Sequence, residues 1–267
     1  LDIEKAIALK NPKLAKAIPG FIMRFIKRTI CQDEMNRVLR EQAGVYGTEF
    51  VAALIKDFNI SYTIHGMENI PKDGRYIFAS NHPLGGFDGV VLADVIAKNI
   101  GEPRLLVNDL LMLIKNYEPL FLPINKHGSH SREAIKKIDE AYAAHFPIID
   151  FPFGLVSRKY KGVVQDLKWN KTFINKARKY QRDIVPIHFD GKNSKKFYRV
   201  AQWRKRLGIK ANIEMFYLPG EPFKQRNSHF HIYFGKPISY KSLTNDKKPE
   251  EWAEEIKKIA YSLKPNN

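Results

Sequence analysis

His82 and Asp88 are the two side chains of this sequence best placed to move a proton. They stand in the run Ser80-Asn81-His82-Pro83-Leu84-Gly85-Gly86-Phe87-Asp88-Gly89, on either side of a turn that two glycines make possible. A carboxylate that accepts one imidazole N–H leaves the second ring nitrogen free and raises its basicity, which suits a general base. Glycine lets the backbone curl back and approach a ligand closely. The same two residue types at this separation also occur as a structural pair or as solvated loop residues, so the positions alone leave both roles open.

The flanking residues say what must hold this pair. Arg75-Tyr76-Ile77-Phe78-Ala79 before it is strand-like, and Val90 to Lys98 after it has the length and periodicity of a helix. His82 is therefore expected at the carboxyl end of a strand and Asp88 in the first turn of the following helix. Open α/β sheets bind their ligands at that edge. Two further strand ends carry cations: Phe121-Leu122-Pro123-Ile124 runs into Asn125-Lys126, and Pro147 to Pro152 breaks at Gly154 and leads to Ser157-Arg158. If these ends lie beside His82, Lys126 and Arg158 offer fixed positive charge for a phosphate or carboxylate, Arg158 in bidentate fashion. Each also reads as an ordinary surface cation.

The rest of the chain alternates. Residues 1–58 read as helices. Of these, Ile18 to Ile30 sets Ile22, Phe25, Ile26 and Ile30 among Arg24, Lys27 and Arg28, a pattern that fits either a membrane interface or an ordinary packed helix. From residue 59 to 267, strands are expected at 60–64, 75–79, 104–107, 120–124, 147–152, 183–189, 213–218 and 229–235. Helices are expected at 90–98, 110–115, 131–145, 173–180 and from Pro249 onward. The expected fold is α/β, a mixed, largely parallel sheet flanked by helices, with an N-terminal helical segment.

Composition narrows the function. The 267 residues suffice for a substantial core, and no apolar run approaches the ~18 residues of a membrane span. The N-terminus lacks a signal peptide's apolar core and cleavage site. The single cysteine, Cys31, excludes an intrachain disulfide and fits a reducing compartment. His229 with His231, and His127 with His130, lack a partner carboxylate, so no metal site is expected. No Gly-x-Ser-x-Gly elbow occurs, which disfavours a serine hydrolase. The formal charge is +17, and from Leu155 to Lys210 seventeen Lys and Arg face three acids, Asp166, Asp183 and Asp190. Such a chain seeks an anionic partner: nucleic acid, an acidic membrane surface or an acidic carrier protein. Aromatic residues from Tyr160 to Trp203 interleave with the cations as in an RNA binder, yet no nucleic-acid-binding motif accompanies them.

Four blocks, in order over about residues 60 to 200, resemble the glycerolipid (lysophospholipid) acyltransferases. That family's Asn-His, four residues, then Asp is similar to Asn81-His82 with Asp88. Its short apolar strand ending in a basic residue is similar to Phe121 to Lys126. Its Phe-Pro-Glu-Gly-Thr-Arg-Ser is similar to Phe151-Pro152-Phe153-Gly154-Leu155-Val156-Ser157, and its Val-Pro-Val strand to Val185-Pro186-Ile187. Here five residues separate His82 from Asp88, and Phe153 and Val156 stand where the family has Glu and Arg. The variant resembles the hemolysin-like branch, which includes O-acyltransferases that finish ornithine and glycine lipids in bacteria.

The resemblance implies O-acylation of a lipid hydroxyl from a fatty acyl thioester on acyl carrier protein or coenzyme A, with no resident cofactor. His82 is the implied base and Asp88 its orienting partner. Asn81, Gly85, Gly86, Lys126, Gly154, Ser157 and Arg158 are the implied binding residues. Backbone N–H groups around Gly85, Gly86 and Gly154 are the candidates for an oxyanion site. The expected partners are a lipid acceptor, an anionic membrane surface and acyl carrier protein rather than nucleic acid. The expected place is cytoplasmic and peripheral, on the inner face of the cell membrane. A basic nucleic-acid-binding protein, and an inactive lipid-binding module on the same fold, are the alternatives.

Overall fold

A computed structural model describes residues 1–107, 111–123 and 132–265. Five helices open the chain: α1 (Ile3–Lys10), α2 (Pro12–Ala17), α3 (Gly20–Thr29), α4 (Gln32–Glu41) and α5 (Gly47–Asp57). Then come β1 (Ser61–His65), β2 (Tyr76–Ser80), α6 (Phe87–Asn99), β3 (Arg104–Val107), β4 (Phe121–Pro123), α7 (Arg132–Ala143) and β5 (Ile148–Asp150). A small hairpin of β6 (Arg158–Tyr160) and β7 (Val163–Gln165) precedes α8 (Thr172–Tyr180), β8 (Asp183–Asp190) and α9 (Lys195–Arg206). The chain ends with β9 (His229–Phe234) and α10 (Pro249–Ser262).

Seven strands form one sheet in the order β1-β9-β8-β2-β5-β3-β4. All neighbours pair parallel except β8 and β9, so the sheet is mixed and largely parallel, as the sequence predicts. Every residue of β2 and the middle six of β8 are buried, which explains why these strands read as continuous apolar runs rather than alternating ones. One face carries Phe78, Ile149, Val185 and Ile187 against α5 and α6. The other carries Ile77, Ile148 and Ile184 against Tyr142 of α7, Phe173 of α8 and Ile256 of α10. Phe50, Val51, Leu54 and Phe58 place the end of the N-terminal helical segment in the first of these cores.

Two of the expected elements take another form. Ile213 to Leu218, expected as a strand, lies in a 3₁₀ segment, Ile213–Gly220. A short apolar run does not separate strand from helix by periodicity. Here Leu218 packs inward with Val156 and Phe197, and buried Glu214 takes Arg158 and Arg204. The expected helix near Leu110 is a pair of 3₁₀ turns, Leu111–Leu113 and Lys115–Tyr117, with Leu110 itself outside the described residues.

Candidate active site

His82 and Asp88 meet because α6 starts immediately after the turn that follows β2. Gly85 and Gly86 take φ of +70° and +131°, conformations that L side chains rarely adopt. A β-carbon on Gly85 would also come within 2.5 Å of the Val156 side chain. The turn aims His82 Nδ1 at Asp88 Oδ2, 3.1 Å away. The same oxygen accepts the Leu84 N–H at 2.9 Å, and Oδ1 accepts those of Gly86 at 3.1 Å and Gly89 at 2.9 Å.

Asp88 is fully buried. Burial pushes its carboxyl up, but the His82 charge and hydrogen bond, with the Leu84 and Gly86 N–H groups, outweigh that and hold it below the usual carboxylate range. An ionised Asp88 only accepts, so Nδ1 is the nitrogen that donates to it, and a neutral imidazole held this way has its lone pair at Nε2. Among the described residues Nε2 makes no hydrogen bond. The imidazole lies on the Phe151 ring, with centroids 4.1 Å apart.

The first and third sequence blocks are joined directly, since Ser157 N–H donates to His82 C=O at 2.8 Å. Asn81 ties the loop to β8 from the other side: its Oδ1 accepts Phe189 N–H at 2.7 Å and its Nδ2 donates to Phe189 C=O at 3.0 Å. Gly154 closes the turn after β5 by donating to Phe151 C=O at 2.8 Å. Gly86 and Gly154 thus commit their N–H groups, and of the three glycines named as oxyanion candidates Gly85 alone makes no backbone N–H bond among the described residues.

Arg158 does not stand free. Its Nη2 is 2.9 Å from Oε1 of fully buried Glu214, whose Oε2 lies 2.9 Å from Arg204 Nε. Val156 is buried beside Phe197 and Leu218, and Phe153 packs on the α8 and α10 face of the sheet. Neither apolar replacement brings a polar group to the site. Lys126 lies outside the described residues, as do His127 and His130.

Two positioning residues escaped the sequence reading. Asp166, buried, accepts Ser157 Oγ–H at 2.6 Å, Trp169 Nε1–H at 2.9 Å and, at a longer 3.4 Å, His82 N–H. Its only sequence signal is to be one of three acids in a strongly basic stretch. Asn193 Nδ2 donates to Pro83 C=O at 3.1 Å. The polar backbone around His82 is therefore held from four directions: β8, the β6–β7 hairpin, the start of α9 and α6 itself.

Beside the loop lies an apolar cavity of about 240 Å³. Gly85, Gly86, Phe87 and Val90 form its wall on the His82 side. Ile30, Val38 and Phe50 of the N-terminal region, and Met215, Leu218 and Phe223, line the rest. The arrangement is an imidazole hydrogen-bonded to a buried carboxylate next to an apolar compartment, a geometry that can serve general base chemistry beside a hydrocarbon chain.

Residues 5–267 match the family described as acyltransferase. The chain is 43% identical over 264 residues to a lyso-glycine lipid O-acyltransferase of Bacteroides thetaiotaomicron, covering 98% of this chain and 97% of the relative. It is 42% identical to a protein of the same description from Phocaeicola vulgatus, covering 98% and 95%. Among solved structures, the 1-acyl-sn-glycerophosphate (LPA) acyltransferase PlsC of Thermotoga maritima aligns with a TM-score of 0.45 and 16% identity, over 91% of this chain and 97% of that one. With a family match across nearly the whole sequence and two full-length relatives above 40% identity, this chain belongs to the acyltransferase family.

Proposed function

We propose that this chain transfers a fatty acyl group from a thioester to the free hydroxyl of a lyso-glycine lipid, with His82 as general base and Asp88 as its orienting carboxylate. The observation that carries the reading is the His82–Asp88 pair, Nδ1 to Oδ2 at 3.1 Å, on a loop that also walls the apolar cavity. His82 Nε2 takes the hydroxyl proton as the acceptor oxygen attacks the thioester carbonyl carbon. The tetrahedral intermediate collapses, the C–S bond breaks, and the imidazolium returns its proton to the leaving thiolate. Asp88 holds the reactive tautomer and stabilises the imidazolium between the two steps. The cavity receives the acyl chain, and each buried methylene contributes about 0.8 kcal/mol.

The donor is an acyl thioester on acyl carrier protein or coenzyme A, and the reaction takes place peripherally on the inner face of the membrane. No helix among the described residues is long and apolar enough to cross a bilayer. A nucleic-acid reading has less support, since several cations of the basic stretch are already paired: Arg158 and Arg204 with Glu214, Lys176 and Lys179 with Asp139, and Lys171 with Glu250.

The test is a side-by-side assay of lyso-glycine lipid and lysophosphatidic acid, each with both donors. Lyso-glycine lipid should be the better acceptor, because apolar Phe153 and Val156 replace two polar residues of the related phosphate-acceptor enzymes. A clean preference for lysophosphatidic acid would overturn the acceptor assignment. Raising salt from about 50 to 500 mM should raise KM more steeply for a carrier-bound donor than for coenzyme A.

A further inference from the structure

The catalytic loop and the cavity leave one part of the chain without a role. α9 ends in Trp203-Arg204-Lys205-Arg206, and the chain turns through Leu207 and Ile209 into the 3₁₀ segment Ile213–Gly220. Trp203, Leu207 and Phe216 are 61%, 66% and 62% exposed, and Ile209 and Ile213 are exposed as well. Single exposed apolar residues are ordinary, but five large ones within fourteen positions form a patch that needs an explanation.

The patch is held firmly. Glu214 is fully buried between Arg204 and Arg158, and Arg204 Nη1 donates to Ile209 C=O at 3.0 Å. Ion pairs thus fasten the end of α9 to the 3₁₀ segment and leave the apolar side chains facing out. Lys205, Arg206 and Lys210 are exposed between them and form no ion pair among the described residues.

α3 packs against the same 3₁₀ segment. Gly220 approaches it so closely that a β-carbon there would sit 2.3 Å from Thr29 C=O. The sequence reading left α3 between a membrane interface and a packed helix, and the structure shows it doing the second with one face only. Met23 is buried, while Phe21 and Phe25, one turn apart, are 66% and 55% exposed beside exposed Arg24 and Arg28. Between the two patches, Ile30 after α3 and Met215, Leu218 and Pro219 of the 3₁₀ segment line the apolar cavity.

We propose that α3 and the α9–3₁₀ corner form one composite docking surface for an anionic lipid bilayer, flanking the cavity through which lipid reaches the site. The inference rests on the reading that the acceptor is a membrane lipid. Bulky apolar side chains interleaved with unpaired cations match a headgroup layer over acyl chains. An acidic carrier protein would use the cations but has no use for so many exposed aliphatic and aromatic groups.

Tryptophan fluorescence reads the corner directly, because Trp169 is buried, Trp252 is half-buried and Trp203 is exposed. Vesicles of phosphatidylcholine with phosphatidylglycerol should shift the emission to the blue, brominated acyl chains should quench it, and Trp203→Phe should remove most of both responses. Phosphatidylcholine alone should give a weak response. Leu207→Ser with Phe216→Ser should weaken vesicle binding by about tenfold or more, as should Lys205→Ala with Arg206→Ala and Lys210→Ala, at roughly fivefold per cation. Turnover of a water-soluble short-chain acceptor should stay within about twofold, since none of these residues touches the His82 loop.

Vesicle binding with unchanged Trp203 emission would leave α3 as the whole surface and overturn the proposal. So would a Trp203 response to acyl carrier protein and none to vesicles. Vesicle binding without transfer to any lyso lipid would sink the acyl-transfer reading and leave the docking surface standing.

Discussion

At the scale of single residues, Asp88 shows how burial serves the chemistry. A buried carboxylate is costly unless hydrogen-bonded, and this one takes three backbone N–H groups as well as His82. His82→Ala should lower turnover by about 10²–10⁴-fold, the usual worth of general base catalysis. Asp88→Asn should also impair it, because a side-chain amide facing Nδ1 favours the wrong tautomer. Transfer within a few-fold of wild type in His82→Ala would end the mechanism. Asp166→Asn tests the support behind the pair. An amide puts an N–H where Ser157, Trp169 or His82 now donates, so kcat should fall by about tenfold while the acceptor KM holds nearly steady. Both members of the His82–Asp88 pair were legible in the sequence, because they sit six positions apart on one turn. Asp166 was not, because the contact it makes with His82 spans 84 positions and exists only once the hairpin has folded over the loop.

At the scale of elements, the alternation of strands and helices could be read from periodicity and breakers, but the device that locks α7 against the sheet could not. Arg182, wholly buried between α8 and β8, has no carboxylate among its hydrogen-bond partners. It donates instead to the carbonyls of Ala141, Tyr142, Ala144 and Phe146 at and beyond the α7 terminus, and to that of Tyr76 in β2. A cation at a helix C-terminus meets both the unpaired carbonyls and the negative end of the dipole. Burial draws its pKa down to about 10, which still leaves it charged at neutral pH. Arg182→Met should therefore destabilise the fold by roughly 3 kcal/mol or more, read as a lower urea midpoint, and Arg182→Lys should recover only part of it. A loss below about 1 kcal/mol would mean that water or a backbone shift replaces the guanidinium. The sequence reading expects no helix at α9, which lies inside the basic stretch whose interleaved aromatic residues resemble an RNA binder's. Ser194 capping Phe197 N–H and the inward Phe197, Tyr198 and Ala201 are its signals, and the density of lysine and arginine around them drew the reading to charge instead.

At the scale of the whole molecule, two buried groups of opposite sense, Asp150 and His188, make stability depend on pH in opposing ways. Asp150 ends β5, and burial raises its carboxyl to about 7, partly offset by the Phe151 N–H. Its folded pKa lies above its unfolded one, so the folded state holds a proton that the unfolded state has lost. Stability from this group therefore falls as pH rises from about 4 to about 7. His188, on β8, is buried beside Tyr261, and burial lowers its imidazole to about 4. Here the folded state holds less proton than the unfolded one, so stability rises as pH climbs from about 4 to about 6.5. Over that window the two nearly cancel, and wild type should show little net slope from them. Asp150→Asn removes one side of the balance while an amide oxygen keeps the Phe151 N–H bond. At pH 8 the variant should be more stable than wild type by up to about 4 kcal/mol, and near pH 4 the two should coincide. Urea midpoints at the two pH values decide the matter. An offset of the same size at both would show that Asp150 acts through packing and not through its proton.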